Sequence, residues 1–283
     1  MDQLKARIEA LLAPVAGSEA GAEADRILDA ARSLPAAQAE AQAAAWAAKR
    51  AGGAPLGLVL GRQRFLGVDL LTGSDVLAAR EETEILGREV LAALREAGQG
   101  ELRMIDMGCG SGNLGCAVAV LLPEVRVWAS DLTESCAALT RENVDLHGLG
   151  ERVQVSQGDL FEPLKGRGLE GTMHVVAMNP PYIPSTALEK NHSELLRHEP
   201  REAFDGGPYG VSIVTRLLQE APAFLRPGGR VLFEFGLGQA RIIQALVAKN
   251  GRYRDCRFAA DAAGEPRVAV LELRPGESGT SPR

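Results

Sequence analysis

The chain has 283 residues, a length that suits one large α/β domain with a small accessory domain. Hydrophobic residues make up 46% and charged residues 24% of it, which is ordinary for a folded cytosolic protein. The net charge is −6 and no long run of Lys or Arg occurs, which argues against a nucleic-acid substrate because enzymes of that class usually carry a basic face.

The cysteines and histidines form no metal-binding or disulfide pattern. Cys109, Cys116, Cys136 and Cys256 are scattered without a C-x-x-C pair, and the four histidines also lack metal-ligand spacing. We therefore expect no bound metal and a reducing compartment. The N-terminus places acidic and basic residues before any apolar run, so it does not resemble a signal peptide, and no apolar stretch approaches membrane-spanning length. These features predict a cytoplasmic protein that does not enter a membrane.

The first 51 residues predict a small helical cap. Leucine and isoleucine recur there at helical spacing, and an alanine-rich run with high helix propensity completes the segment. A Gly-Gly-Ala-Pro sequence then ends the helix. Two apolar runs follow, residues 56–60 and 65–71, and the short connection after Gly61 predicts that they pair as a β-hairpin. We assign residues 52–80 to this hairpin linker.

The remainder predicts an α/β catalytic domain over residues 81–274, which opens with a helix near 82–97. Alternating apolar runs and helical stretches predict a doubly wound, mostly parallel sheet covered by helices on both faces. The last two runs lie too close together for a crossover helix, so they predict an antiparallel hairpin at the sheet edge. The runs assigned to the seven strands are residues 102–107, 125–130, 152–156, 173–178, 230–235, 253–259 and 267–273. The Gly-, Ser- and Pro-rich tail 275–283 is expected to be disordered.

A glycine-rich loop follows the first of these strands. Residues 106–112 read Asp-Met-Gly-Cys-Gly-Ser-Gly and precede a helix that begins near Asn113, and such a loop lets backbone amides approach a ligand. Residues 110–115 also match the G-x-G-x-x-G fingerprint of nicotinamide dinucleotide sites, a weak signal by itself. The carboxylate of Asp106 would repel a pyrophosphate, whereas it suits the ammonium and sulfonium groups of S-adenosylmethionine. The loop therefore favours S-adenosylmethionine.

Acidic residues also follow the second and third strands. Asp131 is placed to accept hydrogen bonds from both ribose hydroxyls of a cofactor, although it could instead cap the helix that follows. Asp159 and Leu160 are placed beside an adenine, the first as an acceptor for its amino group and the second as a packing surface. A plain turn explains this second pair nearly as well.

The fourth strand runs into Asn179-Pro180-Pro181-Tyr182-Ile183-Pro184. Three prolines in six residues make this loop extended and stiff, and a rigid turn is the simplest explanation for them. The position of the loop favours a catalytic role, because ligands of an open α/β sheet bind beyond the carboxyl ends of the strands at the switch point. The glycine-rich loop is predicted to emerge at the same place.

With these segments the chain resembles class I S-adenosylmethionine-dependent methyltransferases that carry an N-P-P-Y motif and methylate planar nitrogens. More narrowly, it resembles the HemK/PrmC group, which methylates the side-chain nitrogen of a glutamine in peptide-chain release factors. The resemblance runs in order over residues 45–273. Besides the segments above it includes Gly53-Ala54-Pro55-Leu56, Leu60-Gly61, Glu82-Thr83-Glu84, His198-Glu199-Pro200-Arg201, Asp205-Gly206-Gly207, Arg226-Pro227-Gly228-Gly229 and Glu234-x-Gly236-x-x-Gln239.

The resemblance implies a Rossmann-like fold, S-adenosyl-L-methionine as the cofactor, and a set of site residues. The implied catalytic residues are Asn179, Pro180 and Tyr182. The cofactor is expected to contact Asp106, Gly108, Cys109, Gly110, Gly112, Asn113, Asp131, Leu132, Asp159, Leu160 and Asn179. The substrate is expected to contact Pro181, Tyr182, Arg80, Glu82, Glu199 and Arg201.

The reaction of this family depends on orienting a weak nucleophile. The lone pair of an amide nitrogen is delocalised into the carbonyl, so the nitrogen attacks poorly. If the Asn179 side-chain oxygen and the Pro180 carbonyl accept its two N–H bonds, the nitrogen faces the methyl group and its growing positive charge is stabilised. Tyr182 can stack on the planar amide. No strong base is required, because the proton can leave after the methyl group arrives.

The chain departs from the family in two places. Its helical N-terminal region is shorter and richer in alanine than the family's docking domain. In addition, Ala78-Ala79-Arg80-Glu81 stands where the family typically has Ile-Pro-Arg-Pro, which predicts a looser segment.

Four alternatives to release-factor methylation remain open at this point. The shortened N-terminal region favours a small molecule with an amide, amidine or ring nitrogen, whereas the acidic balance disfavours a nucleic-acid base. Asp106 and the Asn179 loop argue against a nicotinamide-binding protein, and the intact loop argues against an inactive binding module. The sequence does not indicate an oligomeric state.

Overall fold

The structure is a computed structural model that describes residues 2–73, 76–191 and 199–278. Three helices form the N-terminal cap: α1 (Asp2–Ala16), α2 (Ala20–Ala31) and α3 (Ala36–Ala51). They enclose a small core in which Leu12, Ile27, Ala24 and Ala43 are fully buried. The helical prediction is confirmed, and the alanines serve helix packing as well as helix propensity.

The linker after the cap differs from the predicted hairpin. Its first apolar run forms a short helix, α4 (Leu56–Leu60), and the hairpin consists of β1 (Arg62–Phe65) and β2 (Val68–Leu71). The prediction that residues 56–60 form a strand is wrong, because Gly61 adopts a left-handed conformation with a φ of 67° and ends a helical turn there. The hairpin turn falls instead at Leu66 and Gly67, which both have positive φ.

Seven strands of the described chain form one sheet. They are β3 (Leu102–Met107), β4 (Val125–Asp131), β5 (Val153–Gln157), β6 (Met173–Met178), β7 (Leu225–Glu234), β8 (Tyr253–Ala260) and β9 (Pro266–Leu273). Their order in the sheet is β5-β4-β3-β6-β7-β9-β8. Strands β3 to β7 are parallel, and β9 runs antiparallel to both β7 and β8, which confirms the predicted edge hairpin. The helices around them are α5 (Glu81–Glu96), α6 (Asn113–Leu121), α7 (Glu134–Leu146), α8 (Ser185–Asn191), α9 (Ser212–Glu220) and α10 (Ala240–Asn250).

Both faces of the sheet are covered, as a largely parallel sheet requires. On one face the apolar sides of α5 and α6 bury residues such as Leu86 and Val118. On the other face α9 and α10 pack over a core that includes Phe161 and Phe224, whose ring centroids are 4.8 Å apart. Each fully buried large side chain contributes about 1.5–3 kcal/mol relative to an exposed one. The predicted doubly wound fold is confirmed.

The strand order places the two predicted functional loops side by side. Met107 at the end of β3 is paired with Met178 at the end of β6, and the chain continues from these strands towards opposite edges of the sheet. Loops that diverge from neighbouring parallel strands leave a crevice between them. The glycine-rich loop and the Asn179 loop both border this crevice, as the sequence predicts.

The C-terminal residues pack more closely than the sequence suggests. Glu277 is paired with Arg252, and the Ser278 hydroxyl donates to the carbonyl oxygen of Leu225. The predicted disorder therefore does not extend to residues 275–278, while residues 279–283 of that prediction lie outside the described residues. Within the described ranges, no helix combines the length and the apolar composition needed to cross a membrane.

Candidate active site

A cavity of about 710 Å³ lies at the switch point between β3 and β6, and we refer to it as the first cavity. Its volume falls within the range of about 300–1,000 Å³ that is typical of small-molecule sites. The ends of β3, β4 and β6 form one wall, and the segment 200–205 forms part of another. Among the residues predicted to bind a cofactor, those that line it are Gly108, Gly110, Asp131, Leu132, Asp159, Leu160 and Asn179.

The glycine-rich loop is fastened to the end of β4. Gly108 and Gly110 have φ angles of 64° and 58°, in the left-handed region that favours glycine. The Gly108 N–H donates to the Ser130 carbonyl oxygen at 2.7 Å, and the Gly110 N–H donates to the Asp131 carboxylate at 2.9 Å. The two contacts hold the loop against the wall of the first cavity.

Asp131 faces this cavity and does not cap the next helix. Its second carboxylate oxygen accepts the Thr133 N–H at 3.0 Å, so both oxygens are oriented by backbone donors. The N-cap of α7 is Thr133, whose hydroxyl accepts the Cys136 N–H at 3.3 Å. The structure therefore leaves the ribose role open to Asp131 and assigns the capping role to Thr133.

Four predicted cofactor residues, namely Asp106, Cys109, Gly112 and Asn113, are not among the residues that line the first cavity. Asp106 is only 2% exposed and accepts the Gly115 N–H at 2.8 Å, and burial raises the pKa of its carboxyl to about 7. The Cys109 Sγ lies 3.3 Å from the Thr140 hydroxyl, against which Gly112 also packs. Asp106, Cys109 and Gly112 therefore support the loop from beneath, and the cofactor contacts of all four residues stay predictions.

Asp159 and Leu160 lie in a turn that borders the first cavity. Leu160 has a φ of 47°, a conformation that is rare for a leucine and is often found at functional sites. The Asp159 carboxylate lines the first cavity and accepts hydrogen bonds from the Arg216 guanidinium at 3.0 Å to both oxygens. Sequence reasoning missed Arg216, which lies on α9 far along the chain.

The Asn179 loop separates the first cavity from a second one. Asn179 and Pro181 line the first cavity. Tyr182 and Ile183 line the second cavity, which has a volume of about 1,030 Å³ and lies between the helical cap and the catalytic domain. Pro180 is buried and lines neither of them. A group that enters through the second cavity therefore reaches the side of the loop that faces away from the first cavity.

Close backbone contacts fix the path of this loop. The Gln239 Nε2 donates to the Tyr182 carbonyl oxygen at 2.9 Å, and the Ile183 N–H donates to the Phe204 carbonyl oxygen at 2.9 Å. Gly210 packs so tightly here that a Cβ on it would lie 2.1 Å from the Tyr182 oxygen. The loop is held from three sides, which suits a group that must not move during a reaction.

Buried polar residues hold the side chains of the loop. The Asn179 Nδ2 donates to the Thr83 hydroxyl at 3.0 Å, and that hydroxyl is 2.8 Å from the Glu234 carboxylate. Tyr182 lies near the same carboxylate, and burial raises the pKa of both groups, that of Glu234 to about 6. Sequence reasoning gave Thr83 and Glu234 no role, although a carboxylate at the end of a buried strand is a signal worth following.

The residues predicted to bind substrate are largely paired with other protein groups. Glu199 is 5% exposed, accepts the Ala78 N–H at 2.8 Å and is paired with Arg80 at the edge of the second cavity. Glu82 lies 3.8 Å from Arg267 in the same cavity. Arg201 lines the first cavity and is paired with Asp205 at 3.1 Å, while His198 of the same motif lies outside the described residues.

This arrangement can orient a planar nitrogen between the first and the second cavity. Within the ranges that the structure describes, neither the Asn179 side-chain oxygen nor the Pro180 carbonyl receives a hydrogen bond from the protein. These two acceptors belong to consecutive residues, and a pair of acceptors matches the two N–H bonds of a primary amide. A donor molecule in the first cavity and an amide from the second would therefore meet at Asn179.

Comparison with known proteins points to one family. Residues 82–208 match the family described as the methyltransferase small domain. Over 221 residues the chain is 36% identical to the release factor glutamine methyltransferase of Geobacter sulfurreducens, a match that covers 78% of this chain and 74% of the relative. The enzyme of the same name from Moorella thermoacetica is 35% identical, with 80% of this chain and 77% of the relative covered.

Solved structures agree on the fold. The hMettl16 catalytic domain, solved in complex with the MAT2A 3′UTR hairpin 6, superposes with a TM-score of 0.57 at 16% identity, covering 84% of each chain. At that identity the match shows the fold alone. The sequence matches are closer and span the glycine-rich loop, the Asn179 loop and the sheet that brings them together. This chain is therefore a methyltransferase that belongs to the release factor glutamine methyltransferase family.

Proposed function

We propose that the protein transfers a methyl group from S-adenosylmethionine to the side-chain nitrogen of a glutamine in a peptide-chain release factor. The observation that carries the proposal is the Asn179 loop, whose Asn179 and Pro181 line the first cavity and whose Tyr182 lines the second. The names of the relatives support the choice of substrate, since each is a release factor glutamine methyltransferase.

The residues of the first cavity fit S-adenosylmethionine. Asp131 offers an acceptor for ribose hydroxyls, and Leu132 and Leu160 offer apolar surface in the same cavity. Asp159 retains acceptor capacity beside its contact with Arg216, because a carboxylate accepts about four hydrogen bonds. The cofactor supplies a methyl group on a sulfonium, which needs no further activation by the protein.

The chain's own contribution is to orient the acceptor amide. Asn179 Oδ1 and the Pro180 carbonyl accept the two N–H bonds of the glutamine side chain, which turns the nitrogen towards the first cavity. The same two oxygens stabilise the positive charge that grows on nitrogen, and they need not reorganise because the loop is rigid. Tyr182 packs on the flat face of the amide from the second cavity.

The second cavity supplies a route for a protein substrate. Its lining includes Arg26 and the Arg50–Glu23 pair of the cap, as well as Arg80 of the linker and Glu82 of the catalytic domain. An extended loop that carries a glutamine can enter between these walls and place its side chain against Tyr182. Contacts with the cap then supply the binding energy that selects one glutamine among many.

The test is a methyl-transfer assay with isotopically labelled cofactor and purified release factor. We expect one methyl group per release factor, located by peptide mass spectrometry on a glutamine side chain. The matched control is a release factor in which that glutamine is replaced by alanine, which should take up no label. Labelling of small-molecule extracts in place of release factor would favour the small-molecule alternative and reject the proposed substrate.

A further inference from the structure

Two buried residues lie directly behind the catalytic loop. Thr83 is in the first turn of α5 and is 2% exposed, and Glu234 ends β7 and is 1% exposed. The Asn179 Nδ2 donates to the Thr83 hydroxyl at 3.0 Å, and that hydroxyl lies 2.8 Å from the Glu234 carboxylate oxygen. The chain of contacts thus begins at a buried carboxylate and ends at the side chain that faces the first cavity.

The donors and acceptors in this chain allow only one direction. An ionised carboxylate can only accept, so the Thr83 hydroxyl must give its single proton to Glu234. The hydroxyl then has only lone pairs to offer, and Asn179 must present its NH₂ group to them. A reversed carboxamide would set the Asn179 oxygen against those lone pairs and leave a buried contact unsatisfied.

The same carboxylate also lies near the second side chain of the motif. Tyr182 and Glu234 each influence the pKa of the other, and the charges of Arg267 and Glu82 also act on that carboxylate. The Tyr182 ring is seated against Gly236, where a Cβ would lie 3.0 Å from its Cδ2 atom. One buried acid therefore anchors the amide of Asn179 through Thr83 and lies near Tyr182 as well.

We infer that Thr83 and Glu234 are positioning residues that set the direction of the Asn179 carboxamide, so that its oxygen faces the acceptor amide of the substrate. The inference rests on the proposed function, because only an N–H-bearing acceptor needs an oxygen at that point. Neither residue touches the reacting atoms, and both act through Asn179.

The direction depends on the charge of Glu234. Once protonated, the carboxyl can donate to Thr83, which frees the threonine proton to meet a reversed Asn179. Desolvation raises the pKa of Glu234 to about 6, Arg267 opposes this rise and Glu82 adds to it. Glu234 is therefore ionised above that pH and protonated below it. The Asn179 carboxamide consequently loses its fixed direction as the pH falls through about 6.

Thr83→Val and Thr83→Ser make a matched pair, since valine keeps the shape of threonine without its hydroxyl and serine keeps the hydroxyl. With saturating cofactor and release factor, kcat should fall about 10- to 100-fold in Thr83→Val, with KM within about twofold of wild type. Thr83→Ser should keep kcat within about threefold. In the wild type, kcat should fall as the pH drops below about 6. This acid limb of the pH profile should be absent in Thr83→Val and in Glu234→Gln, which a purely structural role would not predict. Unchanged S-adenosylmethionine affinity by calorimetry confirms that each variant is folded.

If the wild type methylates release factor and Thr83→Val keeps both its kcat and its acid limb, the inference is overturned while the proposed function stands. If the wild type does not methylate release factor, the proposed function fails, and NMR decides the inference separately. The Asn179 side-chain amide resonance, identified by its loss in Asn179→Asp, should shift between about pH 5 and 7 in the wild type and not in Glu234→Gln. The same pH response in both proteins would overturn the inference.

Discussion

What a carboxylate can bind depends on the groups that its oxygens already contact. Asp106 is held by the Gly115 amide beneath the loop, and Glu199 is held by Ala78 and Arg80. Asp131 is oriented by two backbone amides yet still lines the first cavity. The sequence predicts that all three lie near the site, but only the packing shows which of them a ligand can reach.

Asp131 gives the direct test of the cofactor assignment. Replacement by alanine removes an acceptor for the ribose and also frees the Gly110 amide, so S-adenosylmethionine affinity should fall at least tenfold, or about 1.4 kcal/mol. Asp131→Asn keeps one oxygen and should lose less. Isothermal calorimetry with wild type and both variants makes the comparison. Equal affinities in all three proteins would contradict the ribose role.

The raised pKa of Asp106 predicts a pH-dependent stability. Burial moves the pKa from 3.8 to about 7, so between these values the folded protein holds a proton that the unfolded chain releases. The free energy of unfolding should therefore decrease as the pH rises from about 4 to 7, by at most about 4 kcal/mol at about 1.4 kcal/mol per pKa unit.

Asp106→Asn tests this prediction, because asparagine can still accept the Gly115 N–H and does not titrate. Urea unfolding at pH 5 and pH 8 should show a smaller loss of stability in the variant than in the wild type. The same difference between the two pH values in both proteins would refute the assignment.

At the scale of elements, the segment before α5 compensates for its missing prolines. The Ala79 N–H donates to the Gln63 side-chain oxygen at 2.8 Å, and the Ala78 N–H donates to Glu199. Gln63 in turn contacts the Ser111 hydroxyl of the glycine-rich loop at 3.3 Å. Hydrogen bonds to buried partners thus restrain residues that proline rings restrain in the family pattern, so the predicted looseness is offset.

Ala79→Pro should therefore destabilise this protein despite restoring the family pattern. Proline lacks the N–H and leaves the Gln63 oxygen without its donor, which outweighs the entropic gain and should cost about 1–2 kcal/mol. Ala79→Ser keeps the N–H and serves as the control. Chemical unfolding of both variants provides the measurement, and a more stable Ala79→Pro protein would show that the hydrogen bond contributes little.

Helices and strands with a clear pattern of apolar residues could be predicted from the sequence, and short elements could not. The strands of the sheet follow from apolar runs whose lengths suit buried strands. Residues 56–60 misled the prediction because five apolar residues fit a strand or a buried helical turn equally well, and the left-handed Gly61 decided the matter. The role of Thr83 was also beyond sequence reasoning, since its partners are 96 and 151 residues away along the chain.

For the whole molecule, alternation of strands and helices predicted the doubly wound sheet and placed both loops at its switch point. The second cavity could not be predicted, because it depends on how the cap lies against the catalytic domain. Arg26 and Arg50 reach it from the cap, while Tyr182 forms part of its inner wall. An alanine-rich cap can therefore contribute to substrate recognition through a few charged side chains.

The most direct test is the single-turnover rate of methyl transfer within a preformed complex of enzyme, S-adenosylmethionine and release factor. Replacing Asn179 with alanine removes an interaction that is strongest in the transition state, so the rate should fall about 100-fold or more while cofactor and release-factor affinities stay near those of the wild type. Equal rates in wild type and Asn179→Ala would contradict the account, because the loop between the two cavities would then not orient the reacting nitrogen.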